Sequence, residues 1–365
     1  MASYPRKILI IRFSSFGDVL QTLSVVASLK NQWPEAEIHW VTRSEFVPLM
    51  ENHPSLTKAW GLHKNDGLGG LFKLAHDLQN ESFDRIYDAH NNLRSHFLCF
   101  FLAGMSLLQF LMLKSPLRFP VILRRSIKRW KRFLLFRLRI NQFEQPFSGQ
   151  RDLLEPLSQW GISNSLPPPP QLFIAPQVEQ NLNRHLSLIS KSFIALAPSA
   201  AFPLKRWPIP HWKSLLQIWL LADNKINFVL LGGPEDHFLN ELTQIDPHRV
   251  FNLAGKLSLS ESAGVIKRSK LLIANDTGLL HAGEQLGHPT IALMGPAPFG
   301  FPSRTATTRI LELHLHCRPC SKHGQGPCRN THYQWCLVGI TPEMVFAEGQ
   351  KQLHRFNETH LSLHE

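Results

Sequence analysis

The stretch Leu271-Leu272-Ile273-Ala274-Asn275-Asp276-Thr277-Gly278-Leu279-Leu280-His281-Ala282 decides how this chain is read. It opens with an apolar run of strand length, and the residues after it, Ala282-Gly283-Glu284-Gln285-Leu286, start a helix. Between the two, an acid, a hydroxyl, a glycine and a histidine share one strand-to-helix turn. Thr277 is placed to cap the helix, and Gly278 lets a ligand come close to the backbone. The amides of such a helix start suit an anion, with the dipole favouring negative charge by ~0.3–1 kcal/mol. Phosphate is the natural guest; a plain Asp/Thr helix cap is the competing reading.

Working outward, two more strands of the second half end in polar loops. Phe193 to Ala197 leads into Pro198-Ser199-Ala200-Ala201 and then Lys205-Arg206-Trp207-Pro208. A hydroxyl followed by two cations suits a diphosphate, Lys205 as a point charge and Arg206 as a fork; the alternative is a surface loop anchored by Trp207. Asn227 to Leu231 leads into Gly232-Gly233-Pro234-Glu235-Asp236, where an acid either holds ribose hydroxyls or caps a helix.

The first half repeats the rhythm. Lys7 to Phe13, Glu37 to Thr42, Lys58 to Leu62 and Arg85 to Ala89 read as strands, and Val19 to Lys30, Phe46 to Glu51 and Leu71 to Leu78 as helices. After the first strand comes Ser14-Ser15-Phe16-Gly17-Asp18, with Asp18 either a helix cap or a base facing a cleft. Alternating strands and helices predict an α/β fold with parallel sheets covered on both faces. The proline run Pro167 to Pro170 breaks the chain into two such domains, and ligands of such sheets bind beyond the carboxyl ends of the strands. Neither G-x-G-x-x-G nor G-x-x-x-x-G-K-[ST] is present, which argues against a nicotinamide site and a P-loop.

A length of 365 residues fits about two domains, and 43% hydrophobic content supports real cores. Charged residues make up only 18%, yet the net charge is +12, so an anionic partner is expected: nucleic acid, an anionic membrane or a phosphorylated substrate. Ile8 to Phe13 is too short for a signal-peptide core, and five cysteines in a chain this long do not suggest a disulfide framework; a reducing cytosol is expected. Phe97 to Leu113 is almost wholly apolar and is read as a buried helix rather than a membrane span. From Lys114 to Arg139 there are ten Lys or Arg and no acid. On a helical projection Leu123, Ile127, Trp130, Leu134 and Leu138 share one face, which reads either as membrane-surface binding or as a core helix with a solvated basic face.

Ile10-Ile11-Arg12-Phe13-Ser14-Ser15-Phe16-Gly17-Asp18-Val19-Leu20-Gln21-Thr22, the Lys205-Arg206-Trp207-Pro208 loop and the Asn275 to Ala282 turn together resemble the glycosyltransferase family 9 heptosyltransferases of lipopolysaccharide inner-core synthesis. The resemblance implies a GT-B fold, two Rossmann-like domains facing each other across a cleft, the acceptor on the first and a nucleotide sugar on the second. Expected boundaries are 1–166 for the acceptor domain with the basic segment 114–139, 167–340 for the donor domain, and a C-terminal helix over 341–365 packing back on the first domain. It implies inverting transfer from ADP-heptose to a lipid A/core oligosaccharide acceptor, on the cytoplasmic face of the inner membrane, without nucleic acid as a partner.

Asp18 would be the general base. Ser199, Lys205, Glu235, Asp236, Asp276, Thr277, Gly278 and His281 would bind the donor, and Ser15, Gly17, His90 and Arg94 the acceptor. No Asp-x-Asp metal clamp is present, so Lys205 and helix dipoles replace a metal and no catalytic cofactor is expected. Cys317, Cys320, Cys328 and Cys336 are read as a structural zinc site, a disulfide pair or free thiols. Competing functions are a GT-B transferase with another nucleotide sugar and a non-catalytic membrane-surface binding protein on the same scaffold.

Overall fold

The computed structural model describes residues 4–113, 119–187, 189, 192–303 and 305–361. The chain divides into two compact units, Met1–Lys128 with Gln150–Phe173, and Arg129–Gly149 with Ile174–Glu365.

In the first unit, β1 (Lys7–Ile11), β2 (Glu37–Arg43), β3 (Lys58–Leu62), β4 (Arg85–Asp88) and β5 (Val121–Arg124) form one sheet in the order β3-β2-β1-β4-β5. Every pair is parallel. The Ile-rich run of β1 suits its central place, where Ile8, Leu9, Ile10 and Ile11 are all fully buried. The helices Gly67–Gln79 and Leu93–Leu113 lay Leu71, Leu74, Leu78, Leu98 and Leu102 onto Leu9, Ile11 and Val41. Each such side chain contributes ~1.5–3 kcal/mol on burial. Among the described residues no helix is long and apolar enough to cross a membrane.

The second sheet contains β6 (Phe193–Ala197), β7 (Asn227–Leu230), β8 (Val250–Asn252), β9 (Leu271–Asn275), β10 (Thr290–Met294) and β11 (Thr308–Glu312), in the order β11-β10-β9-β6-β7-β8. It too is parallel throughout. The C-terminal helix Pro342–Leu361 packs within this unit, on the helix Ile209–Ala222, where Phe346 meets Trp219 edge-on at 4.7 Å. That contact places the helix in the second unit, and its burial of Val345 in the same core gives the physical reason.

The basic segment 114–139 is not one amphipathic helix. Of its residues, 114–118 lie outside those described. Pro120 interrupts helix formation, and the β-branched Val121-Ile122 that follows pairs as β5 with β4, Val121 N–H donating to Asp84 O at 2.9 Å. A helical turn Arg129–Phe133 and a wider turn Leu134–Leu138 come after it. The expected apolar face is therefore divided: Leu123 and Leu134 are buried, whereas Trp130 and Leu138 are exposed. The chain re-enters the first unit at Gln150. There buried Asp152 pairs with Arg125 at 2.6 Å and Lys128 at 2.8 Å, and Tyr87 donates to Leu153 O at 2.5 Å.

Candidate active site

In the first unit the chemistry gathers where β1 ends. Arg12 follows the strand, and Ser15 caps the helix Phe16–Gln32, whose first turn carries Asp18. Asp18 Oδ2 accepts from Ser15 Oγ at 2.8 Å and Ser15 N at 3.2 Å, and pairs with Arg12 Nη2 at 2.7 Å. Desolvation opposes the charged carboxylate, but the Arg12 charge and then the Ser15 hydrogen bonds outweigh it and hold Asp18 down at about 2. Asp18 is both a helix-start acid and a carboxylate still 37% exposed. Ser15 is exposed and Gly17 half-buried beside it.

The loop after β4 supplies the other expected acceptor residues. Fully buried Asp88 organises it: Oδ1 accepts from His90 N at 3.1 Å and Asn91 N at 2.7 Å, and Oδ2 accepts from Ser95 Oγ at 2.9 Å. His90 lies edge-on to Phe13 at 5.5 Å. Burial, then the Arg12 charge, lowers it to about 4, so its imidazole is neutral at pH 7. Arg94 is exposed, at the start of the helix Leu93–Leu113.

In the second unit, the loops after β6 and β9 meet. Lys205 Nζ lies 2.6 Å from Asp276 Oδ2, both side chains largely buried. Asn275 fastens the pair in place: its Oδ1 accepts from Trp207 N at 3.2 Å and its Nδ2 donates to Pro198 O at 2.5 Å. Trp207 is a core anchor, donating from Nε1 to Ile340 O at 2.8 Å. Gln334 Nε2 supports the same loop, donating to Pro203 O at 3.0 Å and Arg206 O at 2.8 Å. Gly300 packs so close to Asp276 that a Cβ there would lie 2.1 Å from its Oδ1. Thr277 takes the N-cap position of the helix Gly278–Leu286, yet its side chain makes no capping bond. The expected Thr277 cap is thus unmade.

Other expected donor residues separate by role. Arg206 is spent on Ala200 O at 2.9 Å and on the Phe238 ring at 5.3 Å. Asp236 is nearly buried, and its Oδ2 accepts from Gly233 N at 2.8 Å, so it closes the turn after β7 while Glu235 stays exposed. Ser199 is half-buried in the β6 loop. His281 is buried, its Nδ1 3.3 Å from Glu284 Oε2, and Glu284 Oε1 accepts from Ser303 N at 2.5 Å. A cavity of about 740 Å³ opens beyond β10 and β11, lined by Phe147, Pro296, Phe301, Glu312 and His314 among others.

Cys317, Cys320, Cys328 and Cys336 line one small void of about 10 Å³. Among the described residues, however, no set of three or more His, Cys, Asp or Glu side chains is gathered so as to hold a metal ion. Two of the sulfurs face N–H donors instead, Cys328 from Gln334 N at 3.2 Å and Cys317 from Asn330 Nδ2 at 3.5 Å. Burial pushes the Cys336 thiol up to about 11. Among the described residues no disulfide joins the four cysteines.

Arg12, Asp88, Asn275 and Gln334 were not assigned roles from sequence. Arg12 had a readable signal, a cation directly after the unbroken apolar run Ile8 to Ile11. Gln334 had none, being 128 residues from the Arg206 carbonyl it binds.

Two parallel sheets with polar strand-end loops, one bearing a clamped carboxylate and the other a lysine beside an uncapped helix start, define a glycosyltransferase of GT-B type. Glycosyltransferase family 9 (heptosyltransferase) matches residues 71–333, and the chain belongs to that family. It is 28% identical to lipopolysaccharide heptosyltransferase 2 of Escherichia coli K12, over 94% of this chain and 97% of that one. The solved E. coli ADP-heptose lps heptosyltransferase II is 25% identical, with a TM-score of 0.66 over 96% of this chain and 99% of the other. A family 9 glycosyl transferase from Veillonella parvula shares the fold at a TM-score of 0.75, with 20% identity, over 96% of this chain and 98% of the other.

Proposed function

We propose that this chain transfers heptose from ADP-heptose to a lipopolysaccharide inner-core acceptor, with inversion at the anomeric carbon. The observation that carries the reading is the order of groups along the second sheet. Lys205 and the open helix end at Gly278 occupy the centre, after β6 and β9. Glu235 lies on the β7 side, where a ribose would be held. The cavity beyond β10 and β11 lies on the other, with room for a sugar. A nucleotide sugar laid along that axis has ribose, diphosphate and sugar each at a group suited to it. ADP as the nucleotide and heptose as the sugar follow the similarity to the E. coli ADP-heptose lps heptosyltransferase II.

In the reaction, Asp18 Oδ1 takes the proton of the acceptor hydroxyl as that oxygen attacks the anomeric carbon. The bond from that carbon to the diphosphate oxygen breaks on the opposite face, and ADP leaves with the electron pair. The negative charge growing on the diphosphate is met by Lys205 and the amides of the Gly278–Leu286 helix. Asp276 holds the ammonium where the diphosphate arrives. General-base assistance of this kind is worth ~10²–10⁴-fold. Ser15, His90 and Arg94 would orient the acceptor, Arg94 as an exposed cation for its anionic groups.

The acceptor is lipid-linked, and Arg129–Leu138 fits docking at an anionic inner-membrane surface. Trp130 and Phe133 stack at 5.4 Å with 67% and 47% of their surface exposed, and Arg129 and Arg137 are exposed beside them. Each cation near such a surface contributes ~1 kcal/mol.

Thermal melts in the presence of ADP, UDP and GDP test the donor assignment. ADP at about 100 times its Kd should add about 2.7 kcal/mol, with UDP and GDP well behind. Equal or greater stabilisation by UDP or GDP would favour a different nucleotide sugar.

A further inference from the structure

The two oxygens of Asp18 have different surroundings. The partners of Asp18 fall on Oδ2: Arg12 Nη2 forms an ion pair at 2.7 Å, and Ser15 Oγ and Ser15 N donate at 2.8 Å and 3.2 Å. Oδ1 meets no donor among the described residues. Arg12 is itself a built element, only 6% exposed, with Nη1 donating to Ala89 O at 2.6 Å. One guanidinium therefore bridges the end of β4 and the start of the helix after β1. Its planar fork fixes direction as well as charge, which an ammonium cannot do.

The remaining charged neighbours do not duplicate it. Arg125, after β5, adds its field at Asp18 but is bonded to Asp152 at 2.6 Å. His90, from the loop after β4, is neutral at pH 7, and Arg43, at the end of β2, acts on His90.

We infer that Arg12 is a positioning residue for the transfer: by binding Oδ2 it presents Oδ1 as the oxygen that receives the acceptor proton. This rests on the reading of Asp18 as the base. The arrangement trades basicity for direction. Asp18 stays ionised through the whole physiological range, and its free oxygen points one way.

The test uses the full chain with ADP-heptose and a core acceptor, measuring kcat and KM from pH 4.5 to 9 for Arg12→Met, Arg12→Lys and Asp18→Asn. Circular dichroism and urea unfolding of the full chain, compared with the parent, serve as the folding check. In Arg12→Met the carboxylate loses its cation while keeping its desolvation, so its proton affinity rises. The parent, with its carboxylate held at about 2, should show no Asp18 acid limb in this window, whereas Arg12→Met should bring one in above pH 4.5 and lower kcat about 10–100-fold, within the general-base range. An acid limb and kcat unchanged from the parent would overturn the inference.

Arg12→Lys separates charge from direction and covers the case in which the methionine variant does not fold. The ammonium keeps the acid limb low but cannot fork to Ala89 and Asp18 together, so kcat should fall about tenfold with KM unchanged. Parental kcat in Arg12→Lys would also overturn it. Asp18→Asn distinguishes the two layers: if it retains transfer, the base assignment itself fails, whatever Arg12 does.

Discussion

Lys205 is the side chain on which the donor reading turns. Lys205→Ala leaves the buried Asp276 carboxylate unpaired and should lose stability, yet still fold, because the loop that carries it is also fixed by Asn275, Trp207 and Gln334. It should lose about 10²–10³-fold in kcat, the usual loss when one stabilising donor is removed, together with most ADP stabilisation. Steady-state kinetics and an ADP melt check both. Asn275 makes the opposite prediction. Asn275→Ala leaves the buried Trp207 N–H and Pro198 C=O without their partner, costing about 1–3 kcal/mol each way it is counted, read by urea unfolding. A stability within error of the parent would show that Asn275 does not hold these loops. Sequence spacing singled out Asp18, Lys205 and Asp276 as candidates because each lies in a loop after an apolar strand. It could not tell Glu235 from Asp236, since only the fold reveals which carboxylate closes the Gly233 turn.

Among elements, the central strands and the edge strand β3 were legible, and the other edges were not. β1, β6, β7, β9 and β10 are continuous apolar runs buried on both faces. The three unforeseen strands, β5, β8 and β11, all lie at sheet edges, where pairing on one side and partial exposure leave no such run. β5 also misled the reading of 114–139, whose charge pattern was sound but whose helical period was interrupted by Pro120. Replacing both Trp130 and Phe133 by alanine should weaken binding to anionic vesicles several-fold at low salt while leaving transfer to a short, soluble acceptor unchanged. Equal vesicle binding by the double variant would move the docking surface elsewhere. The Asp152 cluster is a second element-scale device, joining the returning segment Gln150–Phe173 to the first sheet. Asp152→Ala strands the largely buried Arg125 and leaves Lys128 with Glu155 alone, and should cost about 3 kcal/mol in chemical unfolding, more than a surface ion pair.

At the scale of the whole molecule, this family 9 chain carries two parallel sheets: one unit holds the Arg12–Asp18 ion pair, the other the Lys205–Asp276 pair and the Gly278 helix start. The alternation of strands and helices made the two parallel sheets readable. The exchange of Arg129–Gly149 into the second unit was not readable, because it depends on long-range contacts such as Phe136, Phe143 and Phe147 around Phe299. The most direct test of the central claim is the transfer reaction itself. Purified chain is given ADP-heptose, UDP-glucose and GDP-mannose in parallel with a heptose-deficient core acceptor, and the product is analysed by mass spectrometry and anomeric NMR. The expected product carries one added heptose from the ADP donor alone, with its anomeric configuration inverted. Transfer from the UDP or GDP sugar in its place, or a product that retains the donor's configuration, would contradict it.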